Sequence, residues 1–556
     1  MENNKKEKTW FKLYPEGFPK TLDYPNKRLD SPLEETANET PGKTALVFFD
    51  KKINYRELNK LSNQFACALQ EKGIKKGDRV LFLLPNCPQV IIGFYGALKI
   101  GAIPIPLNPL YTARELKYFF KDAEPRIVVT LDKFYDKAKE AEEVTPQIEQ
   151  LVVTNIADYF PTVKKILGKL MRKIETFDWD KGVSFKDFLS SDEDYNKVDI
   201  NTKKDTAVMI YTGGTTGKPK GVMLTHFNIM SNAFALVDNW IKKIEMTSAL
   251  MIVPFFHIYG INVVLNWMVK RKGKIVLVPK FNTKETIDLI QKYNIDYLPG
   301  VPAIYSAIWK YYQDHPEIEP FKSVKLCASG TTSISSYLWE KLGTMTPNSY
   351  VVEGYGLSET SPLLLVDPIT SKYKKEVGAV GIPIFDTKIK IVNPDTEEEC
   401  EVGEAGEILA KGPQVFKGYW KKEDKTEEVF TEEGWFRTGD VGRKNEKGIF
   451  FIEGRLDNMI NVRGEKVWPR EVEKVLEDHP KIREVAVVGV QDNYYGQTIK
   501  AFVSLREGDP PSEKDIIAYC KDKLISYKVP QMVEFINELP KSKMRKIQHH
   551  KLREKE

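Results

Sequence analysis

Residues Tyr211 to Gly221 read YTGGTTGKPKG, and their types and spacing suit the binding of a polyanion. Gly213, Gly214, Gly217 and Gly221 let a backbone come close to phosphate oxygens. Thr212, Thr215 and Thr216 supply hydroxyl donors, and Lys218 and Lys220 neutralise charge. An apolar, strand-like run, Ala207 to Ile210, leads in. The pattern departs from the Walker A loop, Gly-x-x-x-x-Gly-Lys-Ser/Thr, because Thr212 stands where its first glycine would be and Pro219 follows Lys218. The residues therefore predict a phosphate-cradling loop of another kind.

Further runs follow in order: VEGYGLSET (Val352 to Thr360), GWFRTGD (Gly434 to Asp440), GRLDNMINVRGEKVWPREVE (Gly454 to Glu473) and YKVPQMVEFINELPKSKMRKI (Tyr527 to Ile547). Together with the glycine-rich loop they resemble, in order and spacing, the motifs of the adenylate-forming superfamily: acyl-CoA synthetases, luciferases and peptide-synthetase adenylation domains. The resemblance runs from about residue 40 to the end. It implies ATP and magnesium as cofactors and coenzyme A as co-substrate.

The resemblance also implies roles. Thr212 and Glu359 would ligate magnesium, a hard cation that takes oxygen donors. Tyr355 would stack on adenine, with Gly330, Glu353, Gly354, Gly356 and Ser358 lining the nucleotide. Asp440 would accept bonds from both ribose hydroxyls, and Arg455 would lie near ribose and phosphate. His257, in PFFHIYG, would flank the substrate carboxylate. Lys546 would bridge carboxylate and α-phosphate, where a cation offsets developing charge. The family glycine before that lysine is Arg545 here, so Lys543 stays as the alternative. Asp457 would be the hinge, Gly464 would line the path of the thiol, and Lys466 and Arg463 would meet coenzyme A phosphates. A protein nucleophile is not needed, because chemistry at phosphorus rests on positioning and charge stabilisation.

These residues need elements to hold them. Strand-like runs (Ile127 to Thr130, Leu151 to Val153, Met251 to Val253, Ile275 to Val278, Val324 to Ala328) alternate with helix-like segments (Tyr55 to Gln70, Thr283 to Tyr293, Ala303 to Tyr312). The alternation predicts an α/β fold with largely parallel sheets. Short, glycine-rich strands between Lys388 and Tyr419 predict a small distorted barrel or antiparallel sheet. A boundary is expected near Gly454, giving a large N-terminal domain over 1–454 and a small mobile α+β domain over 455–556.

Length and composition agree. The chain's 556 residues exceed one ordinary domain. With 42% apolar and 29% charged residues it reads as globular, and a net charge of +5 does not point to nucleic acid. The five cysteines form no Cys-x-x-Cys pair, against structural zinc or a disulfide framework. The N-terminal MENNKKEK has no apolar core of a signal peptide, and the uncharged run Val80 to Leu98 is interrupted by Pro85 and Pro88. A cytoplasmic enzyme is expected.

VKKILGKLMRKI (Val163 to Ile174) puts Val163, Ile166, Leu167, Leu170, Met171 and Ile174 on one helical stripe among five basic residues. It fits either a helix packed on its own domain or one lying peripherally on a membrane surface. The segments Gly260 to Leu265 and Pro299 to Tyr305 offer apolar, uncharged walls for an acid, and SGTTSIS (Ser329 to Ser335) is bulkier than the family pattern. The resemblance is strongest to long-chain fatty acid-CoA ligases. Medium-chain or aryl acids, and a fatty acyl-AMP ligase loading a carrier protein, remain alternatives, and the resemblance also allows a homodimer.

Overall fold

In the computed structural model, residues 9–162, 179–180, 182–212, 218–331, 333–370, 372–376, 378–462, 465–492, 496–541 and 547–554 are described. Three sheets build the large N-terminal part. The first is all parallel: Ile103–Pro106, Arg79–Leu83, Ile127–Leu131, Gln150–Thr154 and Val183–Ser184, in that spatial order. The second is antiparallel: Thr206–Thr212 pairs with Lys220–Thr225, which pairs with Gly418–Tyr419.

The third has thirteen strands and changes character along its width. Lys51–Asn54 lies antiparallel to Thr44–Phe48 at one edge. From Thr44–Phe48 through Lys274–Leu277, Ser248–Met251, Tyr297–Gly300 and Leu326–Ser329 to Tyr350–Gly356 the neighbours are parallel. Beyond Tyr350–Gly356 the pairing is antiparallel, through Leu363–Val366, Ala379–Pro383, Phe450–Arg455, Phe436–Lys444 and Gly406–Lys411 to Lys388–Val392. Parallel strands need crossovers covered by helices, whereas hairpins can leave one face wet. The strand carrying GYG thus sits where one regime meets the other.

Local chemistry accounts for the helices. Asn54 caps Tyr55–Glu71 by accepting the Glu57 N–H at 2.8 Å. Thr112 and Glu115 form a reciprocal capping box at the start of Ala113–Ala123. The expected helices over 55–70, 283–293 and 303–312 all occur, as Tyr55–Glu71, Thr283–Tyr293 and Pro302–Asp314.

One expected strand is displaced. The run Met251 to Val253 contributes only its first residue to the strand Ser248–Met251. Asn86 Nδ2 donates to the carbonyls of Met251 and Val253 at 2.9 and 3.0 Å, and Pro254 has no N–H to continue a ladder.

The C-terminal part is an α+β unit with its own sheet: Glu465–Val467, Ile460–Val462, Gly496–Leu505 and Ile482–Asp492, with Met532–Phe535 parallel to Gly496–Leu505. Its core of Val472, Leu476, Val487, Ile499, Ala501 and Ile516 is separate from the large apolar core around Phe65, Phe82 and Phe94. Among the described residues, no helix is long and apolar enough to cross a membrane.

Candidate active site

Register places the ends of the glycine-rich loop. Thr212 pairs with Lys220 and Tyr211 with Gly221, so the two flanks of the loop lie side by side in the small antiparallel sheet. Gly213, Gly214, Thr215, Thr216 and Gly217 lie outside the described residues. Lys218 is exposed, and Lys220 is half-buried with its ammonium 4.6 Å from the centre of the Tyr419 ring.

Tyr419 extends this arrangement to Glu359. Its Oη donates to Glu359 Oε1 at 2.9 Å, and the Glu359 carbonyl accepts the Phe416 N–H at 2.8 Å. Glu359 is buried on the 3-10 turn Ser358–Thr360. Burial raises its carboxyl pKa, against which the Tyr419 bond and the charges of Arg455 and Lys220 act. A carboxylate, a phenol and a lysine from three distant stretches of chain thus meet beside the loop. Tyr419 was missed from sequence: GYW carries no motif, and only strand pairing brings it to Glu359.

A second cluster lies on the antiparallel half of the large sheet. Asp440 and Arg455 are register partners, and Arg455 Nη1 donates to Asp440 Oδ1 at 2.8 Å. The same nitrogen donates to the Thr438 carbonyl at 3.1 Å. Tyr355 Oη donates to Asp440 Oδ2 at 2.7 Å. Burial, then Asp440, pushes the Tyr355 hydroxyl pKa well above its ordinary value. Burial alone would lower the Arg455 pKa, but Asp440, Asp457 and Tyr355 together raise it and hold the guanidinium charged. Adenine- and ribose-motif residues are therefore in direct contact, although Tyr355 and Asp440 are 85 residues apart.

The glycines of this motif answer packing as well as ligand access. A Cβ on Gly356 would lie 1.7 Å from the Pro362 carbonyl oxygen, and one on Gly354 would lie 2.7 Å from Leu363 Cδ2. On Gly330 it would meet only the Gly354 oxygen, at 3.5 Å. The turn that follows is held by buried amides: Asn262 Nδ2 donates to the Ser361 carbonyl at 2.6 Å, and Asn232 Nδ2 to Leu363 at 2.9 Å.

Glu353 is engaged inward. Its carboxylate takes the Lys375 ammonium at 3.1 Å, its N–H donates to Asp367 Oδ2 at 2.9 Å, and its carbonyl accepts the Asp367 N–H at 3.0 Å. Burial pushes its carboxyl pKa up to about 6 despite Lys375. The residue expected to line the nucleotide thus has these groups committed to Asp367 and Lys375, which sequence reasoning had not singled out.

His257 is half-buried in the turn after Ser248–Met251, its ring 4.7 Å from that of Phe256. Gly260 closes this turn, since a Cβ there would lie 2.4 Å from the Pro254 oxygen. The neighbouring wall is apolar, and its phenols are satisfied internally: Tyr259 Oη and Tyr305 Oη each donate to the Ala328 carbonyl at 2.8 Å.

Asp457 stands in the 3-10 turn Leu456–Asn458 between the two parts. Its carbonyl accepts Arg553 Nη1 at 3.3 Å, and Asn458 Oδ1 accepts Arg553 Nη2 at 2.6 Å. Lys546, Lys543, Arg463 and Gly464 lie outside the described residues; Lys466 is described only as backbone, in register with Asn461. The flanks of 542–546 close on each other: Lys541 bridges to Ile547, and Gln548 N–H donates to the Pro540 carbonyl at 2.9 Å.

Comparison with known proteins places the chain in a family. The AMP-binding enzyme family matches residues 33–420, and the AMP-binding enzyme C-terminal domain matches 471–546. A long-chain-fatty-acid--CoA ligase of Bacillus subtilis (strain 168) is 39% identical over 560 residues, covering 99% of this chain and 98% of the relative. A probable 4-coumarate--CoA ligase 1 of Dictyostelium discoideum is 32% identical, covering 88% of each. Among solved structures, ATP-bound MatB from Rhodopseudomonas palustris superposes with a TM-score of 0.81 at 28% identity, covering 95% of this chain and 99% of that one. With both family models matched in order over the two parts of the fold, the chain belongs to the AMP-binding enzyme family.

Proposed function

We propose that this enzyme is an AMP-forming acid–CoA ligase whose acid is a long-chain fatty acid. In the first half-reaction the acid's carboxylate attacks the α-phosphate of ATP, giving an acyl-adenylate and releasing pyrophosphate. In the second, the coenzyme A thiol attacks the acyl carbon and AMP leaves. The observation that carries the chemistry is a pair of clusters, Glu359–Tyr419–Lys220 at the exit flank of the glycine-rich loop and Asp440–Arg455–Tyr355, coupled by the charge of Arg455, which acts on both Glu359 and Tyr419. The acyl class rests on full-length identity to long-chain ligases, 39% in one case and 31% in another, from Escherichia coli O6:H1.

Each residue then has a task. Asp440 receives the ribose hydroxyls, since a carboxylate has lone pairs beyond those given to Tyr355 and Arg455. Tyr355 presents its ring to adenine. Glu359 and Thr212 would hold the magnesium ion that offsets triphosphate charge. Glu359 fits this as a buried oxygen donor oriented by Tyr419. Among the described residues no group of three or more His, Cys, Asp and Glu forms a cage, which suits an ion that keeps water and phosphate oxygens. His257 orients the acid, and Lys546 stabilises charge as the carboxylate meets phosphorus. The domains are taken as 1–454 and 455–556, with Asp457 as hinge between the half-reactions. Gly464 and Lys466 serve the coenzyme A path. Segment 163–174 would carry the cytoplasmic enzyme to a membrane surface, where long-chain acids partition.

An aryl acid is the second reading, favoured by the 32% identity to the probable 4-coumarate ligase. A panel of acids from acetate to palmitate, plus 4-coumarate, assayed with ATP and magnesium with and without coenzyme A, separates the two. The expected products are AMP and pyrophosphate, formed fastest with long-chain acids. ADP and phosphate as the only nucleotide products would overturn the reading. Faster turnover of 4-coumarate would move the substrate to the aryl class.

A further inference from the structure

The helix Ala113–Ala123 carries none of the motifs, yet two of its side chains reach both flanks of the glycine-rich loop. Tyr118 Oη donates to the Pro219 carbonyl at 2.6 Å, on the exit side between Lys218 and Lys220. Asp122 Oδ2 accepts Tyr211 Oη at 2.6 Å, on the entry side, next to Thr212. Residues four apart lie on one helical face, so a single face grips both ends of the hairpin turn.

The grip on Asp122 is reinforced. Lys422 Nζ donates to Asp122 Oδ1 at 3.0 Å, and Trp420 Nε1 to the Asp122 carbonyl at 3.0 Å. The Trp420 N–H donates to the Gly221 carbonyl at 2.8 Å, closing a ring of bonds from the helix to the exit strand. Burial and Asp122 together push the Tyr211 hydroxyl pKa far above its ordinary value, so it stays a donor.

The helix is itself a rigid support. Its other face buries Leu116, Phe119, Phe120 and Ala123 in the core that includes Met209 and Tyr211 of the entry strand. Its capping box fixes the first turn. A glycine-rich run loses much conformational freedom when it closes on a polyanion, and holding its two ends in place lowers that cost.

We propose that Tyr118 and Asp122 are positioning residues for the nucleotide's phosphates, setting the spacing and angle of the two flanks of the glycine-rich loop. The inference rests on the reading of 211–221 as the triphosphate cradle. Neither side chain touches substrate; both act through backbone and hydroxyl groups of the loop's ends.

The test uses the full chain and separates the half-reactions. Tyr118→Phe keeps the ring against which Lys218 lies, at 5.9 Å, and removes the bond to Pro219 together with the hydroxyl's contact with Lys422. It is expected to raise KM for ATP in acid-dependent pyrophosphate exchange about three- to tenfold, the span of one hydrogen bond. Thioester formation from supplied acyl-AMP, which needs no triphosphate, should change less than twofold. Tyr211→Phe and Asp122→Ala should each raise KM for ATP, and the pair together should cost less than the product of the singles, because both remove the Tyr211–Asp122 bond. Equal losses in both half-reactions, or an unchanged KM for ATP in an otherwise active enzyme, would overturn the clamp alone. A wild-type enzyme that makes no AMP or pyrophosphate from ATP with any acid would overturn the clamp and the proposed function together.

Discussion

His226 and Glu353 give the protein opposed responses to acid at the scale of single residues. His226 accepts the Leu29 N–H on Nδ1 at 3.0 Å, and burial pulls its pKa down to about 4. The unfolded chain takes up a proton near 6.5 and the native one does not. His226 thus contributes stability that is complete above that value and lost as pH falls toward 4, about 3 kcal/mol in all. Glu353, raised from 4.5 to about 6, binds its proton more tightly in the native state. Its share of stability falls as pH rises through that window, by about 2 kcal/mol. Denaturant titrations from pH 8 to 4 should therefore show acid destabilisation that steepens in Glu353→Gln and flattens in His226→Asn. A His226→Asn slope equal to wild type would remove His226 as the cause.

Two glycines separate packing from ligand access at the scale of elements. Gly356 ends the strand Tyr350–Gly356 at the Pro362 carbonyl, leaving no room for a methyl group at 1.7 Å. Gly356→Ala is expected to push the strands apart, lower stability by about 1–3 kcal/mol and misplace Tyr355. Gly330→Ala meets only ordinary contact at 3.5 Å and should leave the melting temperature within a degree or two of wild type. If Gly330→Ala still weakens ATP binding, the space above it belongs to the nucleotide. Unchanged binding would assign the glycine to chain geometry alone.

The two parts meet, at the scale of the whole molecule, through a few charged contacts as well as the covalent link at Asp457. Buried Glu453 takes Arg443 from the large part and Lys474 from the small one, each at 3.0 Å, and Arg506 lies 5.8 Å from the Tyr337 ring. Polar contacts of this kind between domains are compatible with the proposed relative motion. Lys546→Ala is expected to abolish adenylate formation while sparing thioester formation from supplied acyl-AMP. Asp457→Pro, which restricts φ at the proposed hinge, should spare the first step and slow the second. Equal loss of both steps in both folded variants would refute the two-position scheme. The basic segment 163–174 lies outside the described residues, and its proposed membrane contact is testable on the whole molecule. Each basic residue near an anionic bilayer contributes about 1 kcal/mol, so the enzyme should co-sediment with anionic vesicles at low salt and release at high salt. Changing Lys164, Lys165 and Lys169 to glutamate should weaken that binding without altering turnover of a short-chain acid. Binding unchanged by the triple substitution would return the segment to an ordinary surface helix.

Much of this protein is local, and the sequence by itself determined it. Helices over 55–70, 283–293 and 303–312 follow from periodicity and caps, because those signals act within a few turns. The resemblance to the AMP-binding enzymes was legible because the glycine-rich loop and GYGLSET are short contiguous runs of particular residue types. The contacts that make them one site were decided only by tertiary structure. Tyr419 orients Glu359 across 60 residues, Tyr118 reaches Pro219 across 101, and Asp122 reaches Lys422 across 300. Asn86 takes the carbonyl of Met251 from 165 residues away, where the expected strand at 251–253 stops. No period or propensity records such pairings. They arise when burial of apolar faces brings sheets together and every polar group enclosed in the process must find a partner.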